Sequence, residues 1–271
     1  MHGGNNIIRP YLVTTEYPGI IQIMKKTQFT LIVSALLILL NACNKNDFTI
    51  MGTLENGADK TIYLEELTPE GPLFIDSIKL DKRGNFKYKY EMPYPSLYNL
   101  HVASNDYAVL RPSNGETINI LGDYEQLAMS YTVTGSPESI LLWQLQDYTN
   151  KGVNQLYELI QQENAVKAQL EAGEISESEY KSIHKTHDSM YLEYYHQQQD
   201  YIALFIEENL GSLTTLIALY KPFNNHPLID PSVNFDYYES VLIGLQEQMP
   251  DNPHTIHFKN SVEQLRFKYG Q

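Results

Sequence analysis

The chain has 271 residues, of which 42% are hydrophobic and 11% aromatic, a composition typical of folded rather than disordered proteins. Its 33 acidic residues outnumber 19 basic ones, and the formal net charge is −14. An acidic surface repels phosphate backbones, so nucleic acid is not an expected partner. The single cysteine excludes an intramolecular disulfide, a Cys-x-x-Cys redox pair and a zinc site built from several thiolates.

The segment that begins at Met24 has the form of a bacterial export signal. Two lysines precede an apolar run over 29–40, which is too short to span a bilayer. The sequence Leu-Asn-Ala-Cys43 that follows resembles a lipobox, in which the signal is removed before a cysteine that carries lipid. We therefore predict a signal peptide over 24–42, lipid attachment at Cys43 and a tether over 43–47. Two alternatives are an ordinary cleaved signal with a fortuitous cysteine and an uncleaved signal anchor.

A lipid at this position predicts a location in the cell envelope. The membrane is then the expected partner, because each buried CH₂ of an acyl chain contributes roughly 0.8 kcal/mol. The anchor would lie in the inner or outer membrane facing the periplasm, or at the cell surface. A signal normally begins a protein, so residues 1–23 are expected to be an over-extension of the reading frame.

Short alternating segments separated by turn signals extend over 48–134. Residues 48–54 alternate and lead to Asn56-Gly57, a pair that favours a tight turn. Residues 86–90 place aromatic side chains on one face and lysines on the other. Strands at this spacing, without helical segments between them, predict an antiparallel β-sandwich or open barrel.

The hydrophobic period becomes helical at 135 and stays so to 271. Ser136 is a suitable N-cap with a proline after it, and Ser176 and Glu179 form a capping-box motif. The two long helices around this motif are expected to pack antiparallel. Shorter helices are expected over 212–220, 235–248 and 257–269. The predicted class is α+β with segregated parts, a β-sandwich or open barrel followed by an all-α domain.

Several short motifs accompany the lipobox, namely Gly52-Thr-Leu54, Ile75-Asp-Ser77, Gly84-Asn-Phe86 and Val133-Thr-Gly-Ser136. Together they resemble Bacteroidetes lipoproteins with the uncharacterised domain DUF4369. In that family the domain commonly precedes a TlpA-like, AhpC/TSA-type thioredoxin domain with a Trp-Cys-x-x-Cys motif. The resemblance covers nearly all of 44–271, but Trp143 is the only tryptophan and lies in a predicted helix. None of the catalytic residues of the family has a counterpart here.

His184, His187 and Asp188 form the best candidate metal site. Side chains three and four residues apart share one face of a helix, and these types are common Zn²⁺ ligands. A zinc site would need a further ligand from elsewhere in the chain. The alternative is that His187 packs between helices while His184 and Asp188 face water, and we expect no bound metal or cofactor.

Four tyrosines, Tyr191, Tyr194, Tyr195 and Tyr201, cluster on the same predicted helix. Exposed tyrosines can stack on sugars or anchor partner proteins, whereas packing between helices is the simpler explanation. Ser136 is expected to cap a helix rather than act as a nucleophile, because no Gly-x-Ser-x-Gly motif surrounds it.

The sequence favours a non-enzymatic, membrane-anchored envelope lipoprotein that acts as an interaction or spacer module, with a possible protein partner in the envelope. One alternative is the accessory or truncated half of a thiol-disulfide oxidoreductase system with a thioredoxin-like partner. Another is a surface lipoprotein that binds glycans or peptides.

Overall fold

The computed structural model of the chain describes residues 46–270. Eight strands and a short helix come first, and the later part is mainly helical. The strands are β1 (Asp47–Glu55), β2 (Thr61–Thr68), β3 (Gly71–Lys79), β4 (Asn85–Glu91), β5 (Tyr98–Ala103), β6 (Asp106–Leu110), β7 (Thr117–Asp123) and β8 (Thr132–Thr134). Helix α1 (Leu127–Ser130) lies between β7 and β8. The predicted upstream stretch 1–23, signal peptide 24–42 and lipid attachment site Cys43 lie outside the described residues.

The eight strands form two four-stranded sheets, with the strand orders β4-β1-β7-β8 and β3-β2-β5-β6. The prediction of an antiparallel sandwich is wrong for one pair, because β1 runs parallel to β7, with Ile50 opposite Ile118. A parallel pair needs a long crossover, and residues 56–116 supply it. The two sheets do not close into a barrel.

Side chains that point inward from both sheets form the sandwich core. Alternate residues of β1, including Phe48, Ile50 and Leu54, are buried there, as the period of two requires. Gly52 is buried in the same alternation but carries no side chain, and a Cβ at this position would lie 1.8 Å from the Ile120 carbonyl oxygen of β7. The close approach of β1 to β7 therefore requires glycine in the Gly-Thr-Leu motif.

Helices follow the sandwich, with one small hairpin among them. They are α2 (Pro137–Glu171), α3 (Glu177–Glu208), α4 (Thr214–Leu219), α5 (Phe235–Gln248) and α6 (Pro253–Tyr269). The hairpin of β9 (Pro222–Phe223) and β10 (His226–Pro227) was not predicted from the sequence.

The predicted helix starts are confirmed for α2 and α3. The Ser136 hydroxyl accepts a hydrogen bond from the Ser139 amide, and Ser176 forms a full capping box with Glu179. Helix α6 begins at Pro253, ahead of the predicted 257, because the Asn252 side chain caps it.

Helices α2 and α3 form an antiparallel hairpin, as predicted. Tyr148 of α2 stacks on Tyr201 of α3 with ring centroids 3.7 Å apart. Further along the hairpin, Glu163 of α2 contacts His187 of α3. A Cβ at Gly152 would meet the Gln198 side chain at 2.3 Å, so glycine lets the helices approach closely.

Helix α2 contributes to both hydrophobic cores. Ile140 and Trp143 pack against the sandwich core, whereas Leu142 and Leu145 belong to the helical core. An ion pair of 3.0 Å between Arg111 Nη1 and Glu138 Oε2 also joins the two regions. The change from strand to helix falls where it was predicted, while the division into domains over 48–134 and 135–271 stays a prediction.

Candidate functional site

A groove of about 470 Å³ lies on the outer face of the β3-β2-β5-β6 sheet. Two facing residue pairs line it, since Tyr63 of β2 lies opposite His101 of β5 and Glu65 lies opposite Asn99. Because alternate residues of a strand point to opposite faces, all four side chains leave the sheet on the same side. The other residues of this outer-sheet groove are Pro72, Val102, Ala103, Ser104 and Tyr107.

The helical region covers only part of this sheet face. The helical core includes two residues of the sandwich, Leu97 and Val109, and Leu67 is partly buried against it. The residues that line the outer-sheet groove come from strands and strand connections, and one of them, Tyr107, also packs against the helical core. The groove therefore borders the part of this face that the helical core covers.

The aromatic pair in the groove consists of Tyr63 and His101. Their rings stack with centroids 5.4 Å apart and an interplanar angle of 30°. His101 Nε2 lies 3.3 Å from Glu65 Oε1, close enough for an ion pair when the imidazole is protonated. This nitrogen nevertheless has no hydrogen-bond partner among the described residues.

Three buried polar atoms of this groove lack hydrogen-bond partners in the described part of the chain. Asn99 Oδ1 and both ring nitrogens of His101 are shielded from solvent, and none has a hydrogen-bond partner in residues 46–270. A buried polar atom without a partner costs about 1–3 kcal/mol. A ligand that supplied hydrogen bonds at these atoms would recover part of that cost.

The predicted metal candidates lie on a different element, the α2–α3 hairpin. Nδ1 of His184 and Nδ1 of His187 lie 2.8 and 2.6 Å from the two carboxylate oxygens of Glu163. Tyr180 donates a third hydrogen bond to Glu163, at 2.9 Å. Asp188 is more distant, with Oδ2 at 3.7 Å from His184 Nε2.

This arrangement has an electrostatic consequence for Glu163. Partial burial raises the pKa of its carboxyl, but hydrogen bonds from His187, Tyr180 and His184 outweigh it, so the net pKa is lowered. Both histidines use Nδ1 to bind an acid within the hairpin. Across residues 46–270, no group of three or more His, Cys, Asp or Glu side chains is arranged to hold a metal ion.

The tyrosine cluster of α3 has a packing role. Tyr191, Tyr194, Tyr195 and Tyr201 are partly buried against the helical core. The interpretation of these residues as packing between helices is therefore confirmed. Ser136 likewise caps α2, as predicted.

A serine and a histidine also meet at the junction of the sandwich with α6. Ser96 Oγ lies 3.0 Å from His254 Nε2, the contact expected of a nucleophile and its base. Both residues are buried, and burial lowers the pKa of His254 to about 4. The Asn252 side chain donates a hydrogen bond to the nearby Pro95 carbonyl at 2.7 Å. Because both side chains are buried, we assign the pair a structural role in joining the two regions.

Tyr63, Asn99 and His101 of the outer-sheet groove were not singled out from the sequence. The alternation of Thr-Ile-Tyr-Leu-Glu over 61–65 does place Tyr63 and Glu65 on one face of a strand. Their partners Asn99 and His101 lie on a strand that is paired only in the folded chain. The alternation in the sequence therefore indicates that Tyr63 and Glu65 share a face, but it does not indicate Asn99 or His101.

Residues 48–142 match the family model described as Domain of unknown function (DUF4369). The chain therefore carries a DUF4369 domain, as its motifs predicted, and the match includes the sandwich and the start of α2. No curated protein matches the chain. In the part of the chain described here, no helix is both long enough and apolar enough to cross a membrane.

Proposed function

We propose that the chain is a non-enzymatic, lipid-anchored lipoprotein of the cell envelope that binds a ligand in the outer-sheet groove. The observation that carries the binding role is the group of polar atoms on Asn99 and His101 that lack hydrogen-bond partners within residues 46–270, beside the exposed ring of Tyr63. Most buried polar atoms in proteins have hydrogen-bond partners, and three without them among the described residues lie together in this groove. The DUF4369 domain is then the recognition part of the molecule.

The proposed anchor is close in sequence to the groove-bearing domain. Asp47, the first residue of β1, follows Cys43 by four positions, and four extended residues span at most roughly 14 Å. A lipid on Cys43 would keep the sandwich beside the membrane surface. The groove would therefore be exposed to ligands present in the envelope.

Metabolic labelling tests the anchor. In cells that produce the protein, an acyl precursor should label the wild type, which should fractionate with membranes. Cys43→Ser should abolish the labelling, because it removes the only thiol of the chain. Asn44→Ser, a change beside the attachment site, should leave labelling intact. Labelling that persists in Cys43→Ser would overturn the anchor.

Nuclear magnetic resonance of ring-labelled histidines tests the groove. The chain has eight histidines, and His101→Gln would assign the signals of His101. On addition of solubilised envelope extract from the producing cells, the His101 signals should shift while those of His184 and His187 stay in place. If no fraction of the extract moves the His101 signals, the binding role is wrong.

A further inference from the structure

We infer that the outer-sheet groove binds a neutral carbohydrate, with Tyr63 as the stacking surface and Asn99, His101 and Glu65 as hydrogen-bonding groups. This inference rests on the proposed binding role of the groove and adds the chemical class of its ligand.

The aromatic ring and the polar groups are side by side on two neighbouring strands. Tyr63 and Glu65 are two positions apart on β2, as are His101 and Asn99 on β5. The four side chains thus form a small array in which an aromatic pair adjoins an acid–amide pair. A sugar ring has the matching form, with C–H groups on its face and hydroxyl groups at its edge.

The polar atoms of this array are mostly hydrogen-bond acceptors. Asn99 Oδ1 and the two Glu65 carboxylate oxygens can only accept. The donors are the Asn99 NH₂ group, the Tyr63 hydroxyl and one nitrogen of a neutral His101, whose other nitrogen accepts. Such a set favours a ligand rich in donors that can also accept, which describes hydroxyl groups. An apolar ligand would cover these atoms without bonding to them, and would leave their desolvation uncompensated.

The charge of the lining disfavours anions. Glu65 carries a negative charge, and the described residues that line the groove include no lysine or arginine. A phosphate or an acidic sugar would meet this carboxylate without a cation fixed beside it. A neutral ligand avoids that repulsion.

The pairing of the strands disfavours an extended peptide. A peptide that binds to a sheet normally adds a strand at an unpaired edge. The groove lies instead over β2 and β5, which are interior strands with neighbours on both sides. Their backbone groups are used in the sheet, so the groove offers side chains alone.

Titration with neutral oligosaccharides tests the inference. Calorimetry of the mature protein with separate cello-, xylo-, manno-, malto- and chito-oligosaccharides should detect binding of at least one. Tyr63→Ala should weaken that binding about tenfold, as expected from loss of an aromatic stacking contact. Tyr63→Phe should retain it, which separates loss of the ring from a folding defect. Tyr157→Ala, a change at a 63% exposed tyrosine of α2 outside the groove, is the matched control and should have no effect.

A second set of variants distinguishes the ligand classes. Asn99→Ala should weaken binding as Tyr63→Ala does, while Glu65→Gln keeps an accepting oxygen and should retain affinity within a few-fold. Binding that is lost in Glu65→Gln and weakened by salt would identify a cationic ligand and overturn the inference.

The extract experiment and the oligosaccharide titration together distinguish a wrong carbohydrate assignment from a wrong binding role. If envelope extract shifts the His101 signals but no oligosaccharide binds, the groove is a recognition site for another ligand and the carbohydrate assignment is wrong. If neither the extract nor any oligosaccharide shifts the His101 signals, both the carbohydrate assignment and the proposed binding role are wrong.

Discussion

Tyr98 and Tyr238 are both buried, but they differ in what surrounds the phenolic hydroxyl. The Tyr238 hydroxyl donates a hydrogen bond to the Ile229 carbonyl at 3.0 Å. The Tyr98 hydroxyl has no hydrogen-bond partner within the described residues, although Glu66 lies nearby. Burial and this neighbouring acid raise the pKa of Tyr98 far above its ordinary value, so its hydroxyl stays protonated.

Replacement of each tyrosine by phenylalanine should therefore have different effects. Tyr238→Phe should lower the free energy of unfolding by about 1 kcal/mol, because a buried hydrogen bond is lost. Tyr98→Phe should leave it unchanged or raise it, since it removes a buried hydroxyl without a partner. Urea denaturation of the two variants measures the difference, and an equal loss in both would contradict the described surroundings of Tyr98.

His254 makes the stability depend on pH. Burial lowers its pKa from 6.5 to about 4, although Glu70 acts in the opposite direction. Between these two values the unfolded chain binds a proton that the folded chain does not, so stability falls as the pH falls from 6.5 towards 4. Glu163 shifts in the same sense but contributes below its ordinary pKa of 4.5.

Urea denaturation near pH 7 and near pH 5 isolates the contribution of His254. The wild type should lose stability between these conditions, and His254→Gln should lose less while keeping a polar contact to Ser96. His196→Gln, at an exposed histidine, is the control. An unchanged pH dependence in His254→Gln would show that the buried imidazole does not cause the loss.

Among the elements, α3 shows how a local sequence signal fixes a helix start. The Glu179 amide donates to Ser176 Oγ at 3.3 Å, and Glu179 Oε2 accepts from the Ser176 amide at 2.8 Å. Ser176→Ala should lower the free energy of unfolding by about 1 kcal/mol. Ser189→Ala is the same change at an exposed position within α3 and should be neutral or slightly stabilising, because alanine favours a helix. Thermal denaturation that ranks the two variants in the opposite order would contradict the capping role.

The elements also show which features could be predicted from the sequence. Turns, caps and the change of period near 135 depend on neighbouring residues, and the predicted strands and long helices follow from them. The parallel pairing of β1 with β7 depends on residues 47–55 and 117–123, and no local pattern specifies that contact. The outer-sheet groove was missed for the same reason, since His101 meets Tyr63 only through the β2–β5 pairing.

For the whole molecule, the contacts between sandwich and helices predict a single cooperative unfolding transition. Trp143 lies on α2 and packs against the sandwich core, so its fluorescence reports on the junction. Its unfolding curve should coincide with that of the helical circular dichroism signal. Two separated transitions would show instead that 48–134 and 135–271 behave as independent domains.

The Arg111–Glu138 ion pair should contribute to this cooperativity. Glu138 also accepts a hydrogen bond from Ser212, so it joins a sandwich strand end to two helical segments. Glu138→Ala should lower the free energy of unfolding by about 2–4 kcal/mol, since it leaves a buried guanidinium without its acid. Glu177→Ala breaks an exposed pair with Lys181 and should have little effect. Equal stabilities of the two variants would contradict this role of Glu138.

The central position of β1 in its sheet also sets the order in which the chain can fold. β1 lies between β4 and β7, whereas β2 pairs with β3 and β5 with β6 across short connections. The two hairpins can form as soon as their own residues are available, but β1 must wait for residues 117–123 before both its edges are paired. During synthesis or export, the strand nearest the proposed anchor is thus the first to emerge and among the last of the sandwich to be completed. A chaperone that holds β1 until residue 123 has passed would protect its unpaired edge from aggregation.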